Sequence, residues 1–414
     1  MRSIIGILTI FICLDAWIWL RLDRMLRGTH RPWLWRTILG MLMMWVMLSA
    51  MLSVAERSLM ATENRIVPQW VPAGVYIWHF LIMPLTALAL LGGSIMNRLQ
   101  QYARRAWARP PVVEAPPAPA PSAPPAPAPP LWSRRSFLAA TAFTVPPLAT
   151  AGLTGIAMGQ LGHFRIRPFD LHLPGWPAAL DGFTIAVVAD VHTGVFSTPG
   201  MLTDIANATN GLDAELVLLP GDLINISHAD LPSALDMVRS LRSPYGAYMV
   251  QGNHDVIQGP GPFNQTCRKA GVPVLVDQAL TLAPRGVPIQ LLGTRWTPGY
   301  RGMVNSVDQT CKQRDPSLFA IMMAHHPHNW DHAAARAIPL VLSGHTHGGQ
   351  IMLTQNIGGG PLRFKYWSGL YQKPGSTLIV SNGVGDWFPL RVNAPAEILH
   401  LTLHPGEPDN SARA

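Results

Sequence analysis

Phe183-Thr184-Ile185-Ala186-Val187-Val188-Ala189 is an almost wholly apolar run of strand length that stops on Asp190-Val191-His192. A strand buried on both faces reads this way, because neither face needs the polar half of an alternating pattern. The arrangement recurs: runs at Glu215 to Pro220, Ala247 to Val250, Ile289 to Leu292, Leu318 to Ala324, Pro339 to Leu342 and Thr377 to Val380 also end in polar clusters. Helical patterns lie between several of them, as at Pro199 to Thr209 and Leu231 to Leu241, each with Pro or Ser near its start. Such alternation predicts an α/β domain, a mixed sheet system covered by helices, with chemistry at the strand ends where loops are free to carry ligands. The sequence shows no internal repeats.

The polar clusters carry metal-type ligands. Asp190 and His192 close the first run, Asp222 stands in Pro220-Gly221-Asp222, and Asn253 with His254 stands in Gly252-Asn253-His254-Asp255. Met323-Ala324-His325-His326-Pro327 and Gly344-His345-Thr346-His347-Gly348 follow later runs. One such fragment says little, since Gly-Asp is common and a lone His is usually structural, but five in order form a pattern. Of the 15 histidines only His30 and His79 precede residue 163. Three cysteines make no framework: Cys13 lies in an apolar run, and Cys267 and Cys311 are either a pair that an oxidising compartment could join or two unrelated thiols.

Outward from this domain the character changes. Residues 1 to 162 carry 14 Lys+Arg against 5 Asp+Glu, a net of +9, while residues 163 to 414 carry 17 against 18, a net of −1. The basic excess flanks apolar runs, so it reads as membrane orientation, and the globular half lacks the basic patch that nucleic-acid binding requires. Ile4 to Leu20, Trp33 to Val54 and Ala73 to Met96 are each apolar for about the 20 residues a span needs. Five arginines from Arg21 to Arg36 lie between the first two or in the first turn of the second, and four from Arg98 to Arg109 follow the third. The positive-inside rule puts those segments in the cytoplasm and the N-terminus outside.

Residues 98 to 132 then form a cytoplasmic Pro/Ala-rich linker. Ser133-Arg134-Arg135-Ser136-Phe137-Leu138, with the apolar run to Met158 that Pro146-Pro147 breaks, resembles a twin-arginine export signal or is a fourth span. Either reading sends the following domain outside. The expected domains are thus three spans in 1 to 97, a linker in 98 to 132, the signal-like segment in 133 to 160, the hydrolytic domain in 163 to 405 and a tail in 406 to 414. The spans hold almost no ionisable residue apart from Asp15 and His79, which argues against a transporter.

The order Asp-x-His, Gly-Asp, Gly-Asn-His-Asp, His-x-Pro, Gly-His-x-His is similar to that of the calcineurin-like metallophosphoesterase superfamily. Gly344 to Ile351, Ser368 to Tyr371, Ser381 to Gly385 and Ala394 to Ile398 resemble its YkuE/YaeI-type branch, over residues 163 to 405. Ala189 departs from the serine usual before the first Asp, at a position that is not a ligand.

The resemblance implies a four-layer α/β/β/α sandwich after the helical membrane region. It also implies two divalent ions, Mn, Fe or Zn. Asp190, His192 and His347 bind the first, Asn253, His325 and His345 the second, and Asp222 bridges both. His325 is taken in preference to His326. The implied reaction is phosphoester or pyrophosphate hydrolysis, a bridging hydroxide attacking in line. His254 protonates the leaving oxygen and Asp255 fixes the tautomer of His254. The expected partners are a phosphoester substrate, lipid-linked or nucleotide-sugar-linked, the bilayer of a bacterial inner membrane and the twin-arginine machinery. A receptor that binds a ligand without turnover is the competing class, and loss of a ligand would mark it; all seven ligands and His254 are present.

Overall fold

The computed structural model describes residues 2–29, 31–59, 65–107 and 134–406. The linker from 108 to 132, Ser133 and the tail from 407 lie outside the described residues, as do the side chains of Arg134, Arg135 and Ser136. The chain folds as two compact units, Met1–Leu52 with Trp70–Gly155, and Ser53–Gln69 with Ile156–Ala414.

The first unit is helical: α1 (Arg2–Leu26), α2 (Pro32–Leu59), α3 (Trp70–Ile77), α4 (Met83–Ala106) and α5 (Arg134–Gln160). A single π-turn, Trp78–Ile82, joins α3 to α4 just before Pro84, which has no N–H for the regular helical ladder. Among the described residues, three helices are long and apolar enough to cross a membrane: Pro32–Ala55, Trp70–Ala106 and Phe137–Gln160. The stretch Ile4 to Leu20 is helical within α1, which carries Asp15, Arg21, Asp23 and Arg24 and is not one of the three. The helix expected to end at Met96 continues to Ala106, because residues 97 to 106 are polar but good helix formers. Pro146-Pro147 does not break α5, which runs through both.

Inside this unit Asp15 is buried and accepts a 2.9 Å hydrogen bond from Trp78 Nε1, with His79 Nε2 3.1 Å from its other oxygen. His79 Nδ1 is 2.8 Å from the Val75 carbonyl, so this polar triad ties α1 to the α3 end and the π-turn.

The second unit holds two large sheets. The first has the order β1 (Arg165–Leu173), β13 (Glu397–Pro405), β2 (Phe183–Val187), β3 (Leu216–Leu219), β4 (Ala247–Met249). The second has the order β11 (Gly369–Lys373), β12 (Ser376–Val380), β8 (Leu340–Ser343), β7 (Phe319–Met323), β6 (Ile289–Gly293), β5 (Gln278–Leu282). A short hairpin, β9 (Met352–Thr354) with β10 (Ile357–Gly358), stands apart and leads into α11 (Gly359–Arg363).

Side chains alternate between two cores. Ile185, Leu216 and Leu218 meet Ile321, Leu340 and Ile379 between the sheets. On the outer face of the first sheet Val217 and Leu219 pack under α6 (Pro199–Asn210), α7 (Leu231–Ser240) and α8 (Pro260–Lys269). On the outer face of the second, Met322 and Val341 pack under α9 (Tyr300–Cys311) and α10 (Asn329–Ala334). The layers are therefore α/β/β/α, and burial on both faces is why the strands read as unbroken apolar runs. This geometry also settles the cysteines. Cys267 lies on α8 over one outer face and Cys311 on α9 over the other, so they are free thiols, with burial pushing Cys267 up to about 12.

Candidate metal centre

Five parallel strands, β2, β3 and β4 in one sheet and β7 and β8 in the other, release their chains into the loops that carry the sequence motifs. The loops meet across the two sheets. The Asp190 carboxylate accepts from the His345 amide at 2.9 Å, which stitches the end of β2 to the end of β8. Glycines allow the close approach: a Cβ on Gly252 would run into the Asp222 carboxylate, and one on Gly344 into that of Asp190.

The loops bring the expected ligands together. Asp190, His192 and His347 form one group, Asp222, His325 and His345 another, with the ligand atoms of each group within 4.8 Å of one another. Asn253 Oδ1 is 3.0 Å from His325 Nε2, beside the second group. Asp222 adjoins both, with its Oδ2 3.6 Å from His192 Nε2 and 3.2 Å from His325 Nε2. His192, Asp222 and His254 also form a group. His326 stands outside all three. It packs against Trp296, His328 and His345, with its pKa brought down to about 3, chiefly by burial.

Three observations fit this set to metal ions. Ring nitrogens from separate loops converge pairwise, His192 Nε2 on His347 Nε2 at 3.0 Å and His345 Nδ1 on His325 Nε2 at 3.1 Å. His192 Nδ1 is buried and has no partner among the described residues. Asp190, His192, Asp222, His345 and His347 all have φ between 48° and 73°, a left-handed backbone that non-glycine residues adopt at a cost, tolerated where it aims side chains at one point.

Charge is arranged to suit. Burial holds His192, His345 and His347 well below the usual imidazole range, hence neutral with lone pairs available. Burial raises Asp190 to about 7, with the Asp222 charge adding to it. For Asp222 burial pushes upward, but His325, His254 and His192 outweigh it and hold the carboxyl well below the usual range. The reciprocal effect raises His325 to about 9 against the opposing effect of burial.

Asp255 departs from its expected role. The group facing His254 Nδ1 is the Asn225 carbonyl, 2.5 Å away, so a backbone acceptor fixes the tautomer. Asp255 instead accepts from the amides of Asp222 (2.9 Å), Gly252 (2.9 Å) and Ile224 (3.1 Å), buckling the two loops, and burial raises its pKa to about 7. Its full burial favours this role, because a carboxylate there is best used to satisfy three otherwise buried amides.

Other contacts were invisible in the sequence. Arg391 is buried, donates from NH2 toward His347 Nδ1 at 3.0 Å and is held by Asp386 at 2.6 Å and the Asn382 carbonyl at 2.8 Å. Trp296 lies 5.4 Å and Phe364 5.7 Å from the His345 ring, and Trp387 lies 6.3 Å from the His254 ring, forming aromatic walls. Among these, only Arg391 left a signal, the one charge in the Trp387 to Ala396 segment.

Carboxylates and imidazoles gathered at strand ends between two sheets make a hydrolase-type metal site, and comparison with known proteins agrees. The family model for calcineurin-like phosphoesterase matches residues 183–349. A Helicobacter pylori (strain J99) protein described as an uncharacterised metallophosphoesterase is 31% identical over 262 residues, covering 61% of this chain and 70% of that one. Phosphodiesterase YaeI of Escherichia coli is 27% identical over 281 residues, covering 66% and 99%. A Danio rerio transmembrane protein with a metallophosphoesterase domain is 26% identical over 273 residues, covering 62% and 60%. The chain belongs to the calcineurin-like phosphoesterase family.

Proposed function

We propose that the chain is a membrane-anchored, two-metal phosphohydrolase that cleaves a phosphomonoester, phosphodiester or pyrophosphate bond outside a bacterial inner membrane. The observation that carries this reading is the pair of ligand groups that adjoin at one buried carboxylate, Asp222. Asp190, His192 and His347 would hold one divalent ion and Asn253, His325 and His345 the other, with Asp222 between them. The ions, Mn, Fe or Zn by donor chemistry, would supply Lewis acidity toward water and the phosphoryl oxygens.

The remaining work falls to the protein. With Nδ1 committed to the Asn225 carbonyl, Nε2 of His254 is the nitrogen that gains a proton and gives it to a leaving oxygen. Trp296, Phe364 and Trp387 limit water around the reacting groups. Three apolar helices of spanning length, and the name of the Danio rerio relative, support anchoring. Anchoring beside a bilayer in turn favours a lipid-linked or nucleotide-sugar-linked substrate, and the twin-arginine-like hexamer supports export.

The test is metal analysis of the purified chain joined to a panel of monoesters, diesters and nucleotide pyrophosphates. Two metals per chain and turnover of one class are expected. Asp222→Ala should lose both ions and nearly all activity. His254→Ala should keep both while kcat falls about 10²-fold or more on an alkyl ester, and less on a nitrophenyl ester whose leaving group needs no proton. A wild-type chain that turns over none of the panel rejects the reading.

A further inference from the structure

The connection between α2 and α3 belongs to the hydrolytic unit: the compact unit that contains the metal-type cluster also contains Ser53–Gln69. Two side chains make the attachment. Arg65 is buried, and its NH2 lies 3.1 Å from both carboxylate oxygens of the equally buried Asp230. Gln69 Nε2 donates to the Val195 carbonyl at 2.8 Å. Asp230 stands where a helix-capping side chain would, at the start of α7, yet makes no capping bond while its carboxylate faces Arg65. Arg65 Nε and NH1 find no acceptor among the described residues. A buried cation seated at that cost implies a positional role.

The two anchored loops are those that build the centre. Val195 is three residues past His192, and Asp230 ends the loop that begins at Asp222. The loops are zipped together: Thr193 N donates to Leu223 O at 3.0 Å, and Asn225 N to Thr193 O at 3.0 Å. Asn225 in turn offers its carbonyl to His254 Nδ1, and Arg65 sits in a niche lined by Gly194, Val195, Asn225, Ile226 and Asp230. One short path therefore leads from the connector, through Asn225, to the ring of His254.

We propose that Arg65 and Gln69 are positioning residues of the hydrolytic site, a strap from the membrane-region connector that holds the 193–195 and 224–230 loops and, through the Asn225 carbonyl, sets the ring of His254. The effect on the reaction rests on the phosphohydrolase reading above; the strap itself does not. Loosening it shifts the His254 ring without touching any metal ligand. Such a displacement costs rate only where a proton must be delivered.

The experiment uses the full chain in detergent micelles, as wild type, Arg65→Ala, Arg65→Lys, Gln69→Ala, His254→Ala and Arg65→Ala with His254→Ala. Hydrogen exchange of the peptides covering 192–197 and 224–230 reads the strap, and metal content and kcat on an alkyl and a nitrophenyl ester read its effect. Expected are faster exchange in both peptides of Arg65→Ala, metal content unchanged, and kcat down about 10-fold to 10²-fold on the alkyl ester but several-fold less on the nitrophenyl ester. No further loss should appear on adding Arg65→Ala to His254→Ala. Arg65→Lys, which keeps the charge, and Gln69→Ala, which removes one bond, should fall between and keep the fold if Arg65→Ala does not. Unchanged exchange, equal losses on the two esters, or losses that multiply with His254→Ala would overturn the proposal. Faster exchange in Arg65→Ala, beside a wild type that turns over none of the monoesters, diesters and nucleotide pyrophosphates, would uphold the strap while rejecting the phosphohydrolase reading, so the two failures are distinguishable.

Discussion

At the scale of single residues the centre is a balance between burial and mutual charge. His325 rises to about 9 from its ordinary 6.5, and Asp190 to about 7 from 3.8, so both favour the protonated form in the metal-free fold. A raised folded-state pKa contributes stability that is complete below the unfolded value and lost as pH rises through the folded one. His325 thus contributes fully below 6.5 and loses its contribution by about 9, and Asp190 contributes below 3.8 and loses its contribution by about 7. A metal ion held by Asp190 or His325, as proposed, would displace these protons, so its affinity should rise with pH across this window. Melting temperatures of metal-loaded and chelated protein at pH 6 and pH 9 check this: the gap between them should widen toward pH 9. A gap that narrows would mean these protons are not displaced. The residues that the loops gather were legible because each follows a strand end in the sequence. The partner of His254 was not, since a backbone carbonyl 29 positions away has no side-chain signature.

At the scale of elements most interior strands and the edge strand β4 were visible, while the edge strands β1, β5 and β11 and the interior β13 were not. β2, β3, β4, β6, β7, β8 and β12 sit where apolar runs predicted them, and in all but the half-buried β4 burial on both faces leaves few polar positions. β1 alternates exposed and buried residues, as in Arg165-Ile-Arg-Pro-Phe-Asp-Leu-His-Leu173, and is recognised as a strand only through its parallel pairing with β13. The helices of the first unit hold a comparable surprise in the Asp15, Trp78 and His79 triad. Removing Asp15 would leave Trp78 Nε1 and His79 without their shared acceptor in an apolar setting. Asp15→Ala should therefore destabilise the helical unit by roughly 1–2 kcal/mol, and Asp15→Asn, which can still accept from Trp78, by less. Denaturant titration of the full chain in micelles measures both, and equal losses would remove Trp78 from the account.

For the whole molecule, sidedness follows from covalent order. Gln69 and Arg65 bond to the domain that starts after α5, so the α2–α3 connector and that domain lie on one side of any bilayer the chain crosses. Two helices of spanning length, Trp70–Ala106 and Phe137–Gln160, separate them in the chain, an even number that meets this requirement. By the positive-inside rule, the arginines at 21 to 36 and 98 to 109 would put the opposite side in the cytoplasm, the expectation that the next experiment tests. An alkaline-phosphatase fusion at residue 410 should be active and a cytoplasm-only reporter there silent, and Arg134→Lys with Arg135→Lys should trap the domain inside. The reverse pattern of reporters would invert the topology.

The sequence by itself determined the α/β class, the family, the motif residues that the loops gather and three of the four apolar runs that make long helices, because periodicity, motif order and run length are properties of neighbouring residues. Only the tertiary structure decided that Asp255 braces amides, that Cys267 and Cys311 lie on opposite outer layers, and that Arg391 and the Arg65 strap reach the site. Each of those depends on which distant segments the fold brings together or keeps apart, and residues 31 to 165 positions apart carry no local trace of that.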